Sequence, residues 1–191
     1  MLIAIKENDR VVVASLITDS LKRLSCNDFV NEDNRIVTIK GDTVYCFAMA
    51  GRYADMFLCD DKFFEFEVTP ESIVKNFIPY MFQRIKREKG LENSKWDDPN
   101  WENALVIVKG NRIFWVTPTF YFKEESEFIC SGWDTDYIYG SLEATRGEKT
   151  EDRIRKAIEL YECADRSNLY PFVVVDSSDL KIQIWERAIC R

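Results

Sequence analysis

The chain contains no histidine among its 191 residues. Without an imidazole, neither a Ser-His-Asp or Cys-His nucleophile nor a histidine-ligated zinc or iron site can form. Any acid or base catalysis would fall to Asp, Glu, Lys, Tyr, Cys or a chain terminus. The absence excludes the commonest hydrolase and metal-site designs, and we predict neither a metal nor a cofactor.

The sequence also lacks any closely paired cysteines. Its six cysteines are scattered, with no CxxC spacing: Cys26, Cys46, Cys59, Cys130, Cys163 and Cys190. A four-cysteine zinc site stays open as an alternative but has no support from the spacing. We expect reduced and mostly buried thiols, as in a cytoplasmic protein.

An excess of positive charge and long apolar runs are missing as well. Lys and Arg number 26 against 33 Asp and Glu, which gives a net charge of −7 and disfavours binding to nucleic acid or anionic membranes. No apolar run approaches the roughly 18 residues of a membrane-spanning helix. The segment 1–6 has no basic stretch followed by an apolar one, so we expect no signal peptide and a cytoplasmic location.

What is present fits a globular protein, with 46% hydrophobic and 31% charged residues. The length suits one domain over residues 1–191 with a sizeable core. No internal repeat, low-complexity segment or linker interrupts it. The 26 aromatic residues include clusters around 63–66 and 114–122, which we expect to lie mainly in the core.

Apolar periodicity and turn residues predict the order ββββ-αα-βββ-αα-ββ. The predicted strands are Leu2–Lys6, Val11–Leu16, Arg35–Ile39, Thr43–Ala50, Ala104–Val108, Arg112–Val116, Glu127–Cys130, Phe172–Val175 and Lys181–Trp185. The predicted helices are Arg52–Asp60, one from Thr69-Pro70 to Gly90 with a kink at Pro79, Asp134–Arg146, and one capped by Thr150.

Several predicted strands are apolar on both faces, which requires cover on both sides. Because helices are inserted in pairs, we predict two stacked sheets with a helical layer on each outer side. The fold class is therefore α+β, with a four-layer α-β-β-α sandwich.

This order resembles the proteasome-like branch of the N-terminal nucleophile hydrolases, which includes proteasome subunits and the peptidase subunit of a bacterial two-component protease. The matching segments are Leu2–Lys6 with Val11–Ala14, Arg35–Ile39 with Val44–Gly51, Ile129–Gly132 leading into Tyr137–Gly140, and Glu151–Ala164 before the last hairpin. The resemblance covers nearly the whole chain.

The resemblance implies a specific chemistry that needs no histidine. In that family an N-terminal Thr, Ser or Cys supplies the nucleophile, and its free α-amine or a nearby water acts as base. A Lys at the head of the third strand lowers the nucleophile's pKa, and an Asp after the second strand orients the Lys. Backbone N–H groups of a small-residue turn after the fourth strand form the oxyanion hole.

The chain departs from that pattern at the decisive position. Met1 and Leu2 stand where the nucleophile and its neighbour belong, and a thioether has no proton to lose. Removal of Met1 would expose Leu2, which is equally inert. We therefore expect a chain that keeps the architecture but not the catalytic centre.

The other family positions are matched in part. Arg35 stands at the lysine position, where it keeps the charge but cannot adjust its protonation, and Asp19 is a displaced equivalent of the orienting Asp. The small-residue turn at Ala50-Gly51 and Ser131 are retained. Ser15 and Ser131 are the hydroxyls expected near the cleft, where hydrogen bonding to backbone is their ordinary role.

Three functions remain open from the sequence. The first is a non-catalytic, proteasome-subunit-like homo-oligomer that assembles through its helical layers, with a protein partner possible. The second is a diverged peptidase or amidohydrolase of the threonine-peptidase type with a relocated nucleophile. The third is a protein whose cleft binds a small carboxylate or peptide, with Arg35 as anion anchor. Gly140, which follows Tyr137 and Tyr139, favours close helix packing over ligand binding.

Overall fold

The computed structural model describes residues 1–16, 37–48, 52–91, 103–132, 135–165 and 171–186. These residues form ten strands, numbered in chain order. The strands are β1 (Leu2–Glu7), β2 (Arg10–Leu16), β3 (Val37–Lys40), β4 (Thr43–Phe47), β5 (Leu105–Lys109), β6 (Arg112–Val116), β7 (Phe122–Glu125), β8 (Phe128–Ser131), β9 (Phe172–Asp176) and β10 (Ile182–Trp185).

The strands make two antiparallel five-stranded sheets. The first sheet has the order β10-β9-β2-β1-β8, and the second has β3-β4-β5-β6-β7. The second sheet is a simple meander, whereas the first joins strands from the start, middle and end of the chain. The first residues of the sequence therefore lie at the centre of a sheet.

Helices and helical turns connect the strands. They are α1 (Arg52–Leu58), a 3₁₀ turn (Asp61–Phe64), α2 (Pro70–Ser72), a π-helical turn (Ile73–Phe77), α3 (Ile78–Glu88), α4 (Thr135–Ala144) and α5 (Thr150–Asp165). Thr69 caps α2, because its hydroxyl accepts a hydrogen bond from the Ser72 N–H at 3.3 Å. In α5 the Lys149 carbonyl accepts from Arg153 N–H at 3.0 Å, so the helix begins at Thr150 rather than being capped by it.

Three apolar clusters separate four layers, which confirms the predicted α-β-β-α sandwich. One lies between the first sheet and α4 and α5, the second between the two sheets, and the third between the second sheet and the helices of 52–88. Strand β1 shows why both faces are apolar. Ile3 and Ile5 belong to the helix-side cluster, while Leu2 and Ala4 belong to the cluster between the sheets.

The second group of strands contains four members rather than the predicted three, because β7 was not expected. Its sequence, Phe-Lys-Glu-Glu, lacks the apolar alternation of a buried strand. It lies at the sheet edge, where charged side chains are usual, and Arg112 pairs with Glu124 at 2.7 Å across β6 and β7.

Only two residues separate β7 from β8, although the two strands belong to different sheets. Three residue steps span at most about 11 Å, which matches the roughly 10 Å between stacked sheets. The connection at Ser126-Glu127 therefore carries the chain directly from an edge of one sheet to an edge of the other.

Pro79 perturbs its helix as predicted, and the perturbation is a π-helical turn. The Ile78 N–H donates to the Ile73 carbonyl, five residues back, instead of four. Proline has no N–H and its ring crowds the carbonyl four residues earlier, so a wider turn just before it removes the conflict.

The aromatic clusters lie mainly in the core, as expected. Phe63 is fully buried, with ring centroids 4.9 Å from Phe77, 5.2 Å from Phe57 and 6.1 Å from Phe47. Tyr121 is the exception in these clusters, with 63% of its surface exposed.

Arg10 links three distant parts of the first sheet and its helical cover. Its guanidinium bonds Glu7 at 2.7 Å in the same hairpin, Asp176 at the end of β9, and Glu151 at 3.0 Å in α5. These carboxylates raise the pKa of Arg10, chiefly through the hydrogen bond to Glu7. The cluster holds the β1–β2 turn against the start of α5.

Candidate functional site

Residue 1 lies inside the protein. The Met1 side chain is 7% exposed and packs in the cluster between the first sheet and α4 and α5. Its α-amine donates a hydrogen bond to the Ala48 carbonyl at 3.3 Å, just beyond the end of β4. Burial lowers the pKa of this amine from 8.0 to about 6, so the neutral form predominates at pH 7.

The turn after β8 packs directly against Met1. A Cβ atom on Gly132 would lie 3.1 Å from the Met1 Cα, and Gly132 has a φ of +146°, which other residues rarely adopt. On the opposite side, the Leu16 N–H donates to the Met1 carbonyl at 2.8 Å. Residue 1 is therefore fixed by backbone contacts from both neighbouring strands.

Leu2 fills the space next to this position. It is fully buried between the two sheets and pairs with Ser15 on one side and Ser131 on the other. The retained Ser131 thus lies beside Leu2, at the end of β8. An apolar, fully buried side chain therefore lies between the sheets, next to residue 1.

A hydroxyl and a thiol at this site, those of Ser15 and Cys46, are also buried. Ser15 Oγ donates to the Phe47 carbonyl at 3.4 Å, and Cys46 Sγ lies 3.9 Å from the same oxygen. Burial raises the pKa of Cys46 to about 12, opposed by the Ser15 hydrogen bond and, to a smaller extent, by the α-amine when it is protonated. The thiol is therefore protonated at neutral pH and is a poor nucleophile.

The sequence did not place Cys46 at this site, although a signal existed. Cys46 and Ala48 are two residues apart at the end of β4, and residues two apart point to the same face of a strand. The resemblance assigns the site turn to Ala50-Gly51, which follows Cys46 and Ala48 in the chain, and therefore does not include this pair.

The other predicted site residues, Asp19, Arg35, Ala50 and Gly51, lie outside the described residues. Their roles as displaced orienting acid, lysine replacement and oxyanion turn stay predictions. Of the predicted set, the structure brings together Met1, Leu2 and Ser131 at the adjoining ends of β1 and β8.

The described part of this site offers an amine, the Ser15 and Ser131 hydroxyls, and a Cys46 thiol that is protonated at neutral pH. The side chains at this site are the thioether of Met1 and the isobutyl group of Leu2. The Ser15 hydroxyl and the Cys46 thiol are both directed at the Phe47 carbonyl. No group of three or more Cys, Asp or Glu side chains suited to a metal ion occurs within the described ranges. None of the helices there is long and apolar enough to cross a membrane.

Comparison with solved structures identifies the fold. BPH from Thiobacillus denitrificans, in complex with epoxomicin, superposes with a TM-score of 0.64 at 14% identity, covering 92% of this chain and 96% of that one. HslV from Trypanosoma brucei gives 0.60 at 14% identity, over 92% and 97%. Anbu, the ancestral beta-subunit, from Yersinia bercovieri gives 0.60 at 12%, over 97% and 86%. A scan of protein-family models and a search of curated proteins find no match.

The chain has the fold of the proteasome-like N-terminal nucleophile hydrolases, over nearly its whole length. The resemblance drawn from the order of elements is thereby confirmed at the level of the fold. Identities of 12 to 14% carry no information about activity, which has to be argued from the site.

Proposed function

We propose that this chain is a non-catalytic, proteasome-subunit-like protein of the cytoplasm that acts as a structural component of a homo-oligomer. The observation that carries the proposal is the burial of Met1. Its side chain packs into the core, and its amine is 3.3 Å from the Ala48 carbonyl, so residue 1 is a core residue rather than a reagent.

The relocated-nucleophile alternative has no specific support within the described residues. Ser15 is fully buried, and its hydroxyl donates to a backbone carbonyl. Cys46 is likewise fully buried, and its pKa is raised to about 12. Within the described residues, neither group hydrogen-bonds to a side-chain base of the kind that activates hydroxyl or thiol nucleophiles.

The helical layer over the first sheet supports assembly. Tyr137 is 51% exposed, Tyr139 36% and Leu160 45%, all on α4 and α5. A Cβ on Gly140 would meet no atom within 4 Å, so the described residues do not pack closely against this glycine, and its expected role in helix packing stays a prediction. Tyr137 and Tyr139 are two residues apart and lie on different sides of α4, and Tyr139 also packs against Phe128 at 5.5 Å. Tyr137 is therefore the aromatic side chain that best fits an interface.

The catalytic part of the proposal is tested by treating the purified protein with epoxomicin and with a covalent threonine-protease probe, followed by intact-mass measurement. We expect the unmodified mass and no hydrolysis of fluorogenic peptides, because residue 1 has no nucleophilic side chain. An adduct that maps to any residue of this chain would refute the non-catalytic assignment. An authentic threonine peptidase labelled in parallel shows that the probe is active.

The assembly part is tested by light scattering coupled to size-exclusion chromatography. We expect an oligomer for the natural protein and dissociation for Tyr137→Glu, since a charge in an apolar interface is costly. The matched control is Tyr121→Glu, because Tyr121 is also exposed, at 63% against 51%, but belongs to the β6–β7 connection. A monomer in the natural protein, or equal dissociation of both variants, would contradict assembly through the helical layer.

A further inference from the structure

A groove of about 730 Å³ lies in the helical layer over the second sheet. It is lined by the residues between α1 and the 3₁₀ turn, by the 3₁₀ turn itself and the segment after it, and by one face of the continuous helix formed by the π-helical turn and α3. None of its lining residues belongs to the site around Met1. Its volume is in the range of pockets that hold small molecules.

The groove is positively charged in an acidic protein. Four cations line it, Lys62, Lys75, Arg84 and Arg87, with one carboxylate, Asp60, in the lining. Lys75 is paired with Glu71 at 2.6 Å, just outside the lining, so Lys62, Arg84 and Arg87 supply the positive charge of the groove. The whole chain carries a net charge of −7, so this is a local reversal of sign. Such a reversal attracts a small anion, while the surrounding acidic surface repels a long polyanion.

The single carboxylate is already engaged within the protein. Asp60 accepts hydrogen bonds from the Tyr80 hydroxyl and from the Lys62 N–H at 3.1 Å, and it lies 3.6 Å from Arg84 Nε. Asp60 therefore orients Tyr80 and Arg84. The Lys62 ammonium lies 5.6 Å from the centre of the Tyr80 ring. This cation–π contact places a second positive charge beside Arg84, on the side of the groove formed by Tyr80.

The helical wall presents its polar residues in a continuous row. The lining positions fall three or four residues apart along the helix, which places them on one face: Asn76, Pro79, Tyr80, Gln83, Arg84 and Arg87. The π-helical turn before Pro79 brings Lys75 and Asn76 into this row. Two guanidinium groups three residues apart suit the oxygen atoms of a phosphate.

We propose that this groove binds a small molecule carrying phosphate groups. The cations of Lys62, Arg84 and Arg87 contact its oxygens, the amides of Asn76 and Gln83 add donors, and Phe66 and Tyr80 supply apolar wall. This binding site goes beyond the structural role proposed above and does not depend on it.

The test is calorimetric titration of the full chain with sodium pyrophosphate at low ionic strength. We expect saturable binding with a Kd below about 1 mM, weakened by added salt. The double variant Lys62→Gln/Arg87→Gln should bind at least about tenfold more weakly, because charge-assisted hydrogen bonds are lost. The side chains of Lys62 and Arg87 are both exposed, so the double variant should fold.

The matched control is Lys181→Gln/Arg146→Gln, which removes one lysine and one arginine charge from exposed positions outside the groove. It should change the Kd by less than about twofold. Absence of saturable binding in the natural protein overturns the proposal, as does equal weakening by the control, which would indicate a general charge effect. Tighter binding of hexaglutamate than of pyrophosphate through the same two residues also overturns it, since the ligand would then be an acidic protein segment.

Discussion

The buried α-amine of Met1 predicts an unusual dependence of stability on pH. Its pKa falls from 8.0 to about 6 on folding, chiefly because burial disfavours the charged form. The unfolded chain therefore binds more protons than the native chain between these values. The free energy of unfolding must then rise with pH across this window.

The magnitude follows from the size of the pKa change. At about 1.4 kcal/mol per pKa unit, lowering the pKa from 8.0 to about 6 corresponds to about 2 to 3 kcal/mol. This stability is fully present above pH 8 and is lost as the pH falls through 6. No imidazole titrates in this window, because the chain has no histidine, and burial raises the pKa of both Cys46 and Cys130 to about 12, above it.

The measurement is urea unfolding at intervals from pH 5.5 to 8.5, on protein whose N-terminal residue is verified by mass as an unblocked Met1. Titration of the amine by ¹⁵N NMR in the folded state should give a midpoint near 6. An N-acetylated chain is the control, because its amide can still donate to Ala48 but cannot titrate. A flat or falling profile with the free amine, or the same rise in the acetylated chain, would refute the reasoning.

Three further predictions concern stability and are checked by chemical denaturation. Gly132→Ala should cost about 2 to 3 kcal/mol, because its Cβ would meet the Met1 backbone at 3.1 Å in addition to the backbone strain, whereas Gly110→Ala should show the strain alone, about 1 kcal/mol. Equal losses in both would argue against the close contact. Arg10→Met should lower stability by about 1 to 2 kcal/mol, since it breaks the three ion pairs, and the loss should shrink in high salt. Phe63→Ala should cost about 3 to 5 kcal/mol by opening a cavity among buried rings, and a loss under 1 kcal/mol would contradict its central place in that cluster.

Much of the architecture could be predicted because burial leaves a direct record in the sequence. Strands such as Val11–Leu16 are apolar without alternation, which already implies cover on both faces. The edge strand β7 leaves no such record, since its partners and exposure decide its conformation rather than its own side chains. The organisation of residues 1–191 as one domain stays a prediction.

The site was harder to predict, because it depends on which strand ends meet in space. The departure of Met1 from the family pattern can be read from the sequence, but the burial of its amine by Ala48 and Gly132 cannot. The contact joins positions 1, 48 and 132, and no spacing in a single sequence indicates such an encounter. The groove at Asp60 cannot be predicted from the sequence for the same reason, since Lys62 and Arg87 belong to separate elements.

The two-residue connection from β7 to β8 has a consequence for motion. It covalently links the two sheets along one edge and limits how far they can separate there. Strands β3 and β10, at the opposite edges, share no such short link, because neither is adjacent to the other in the chain. Transient opening of the sandwich must therefore begin at the β3 and β10 side, and amide protons there should exchange with solvent sooner than those of β7 and β8.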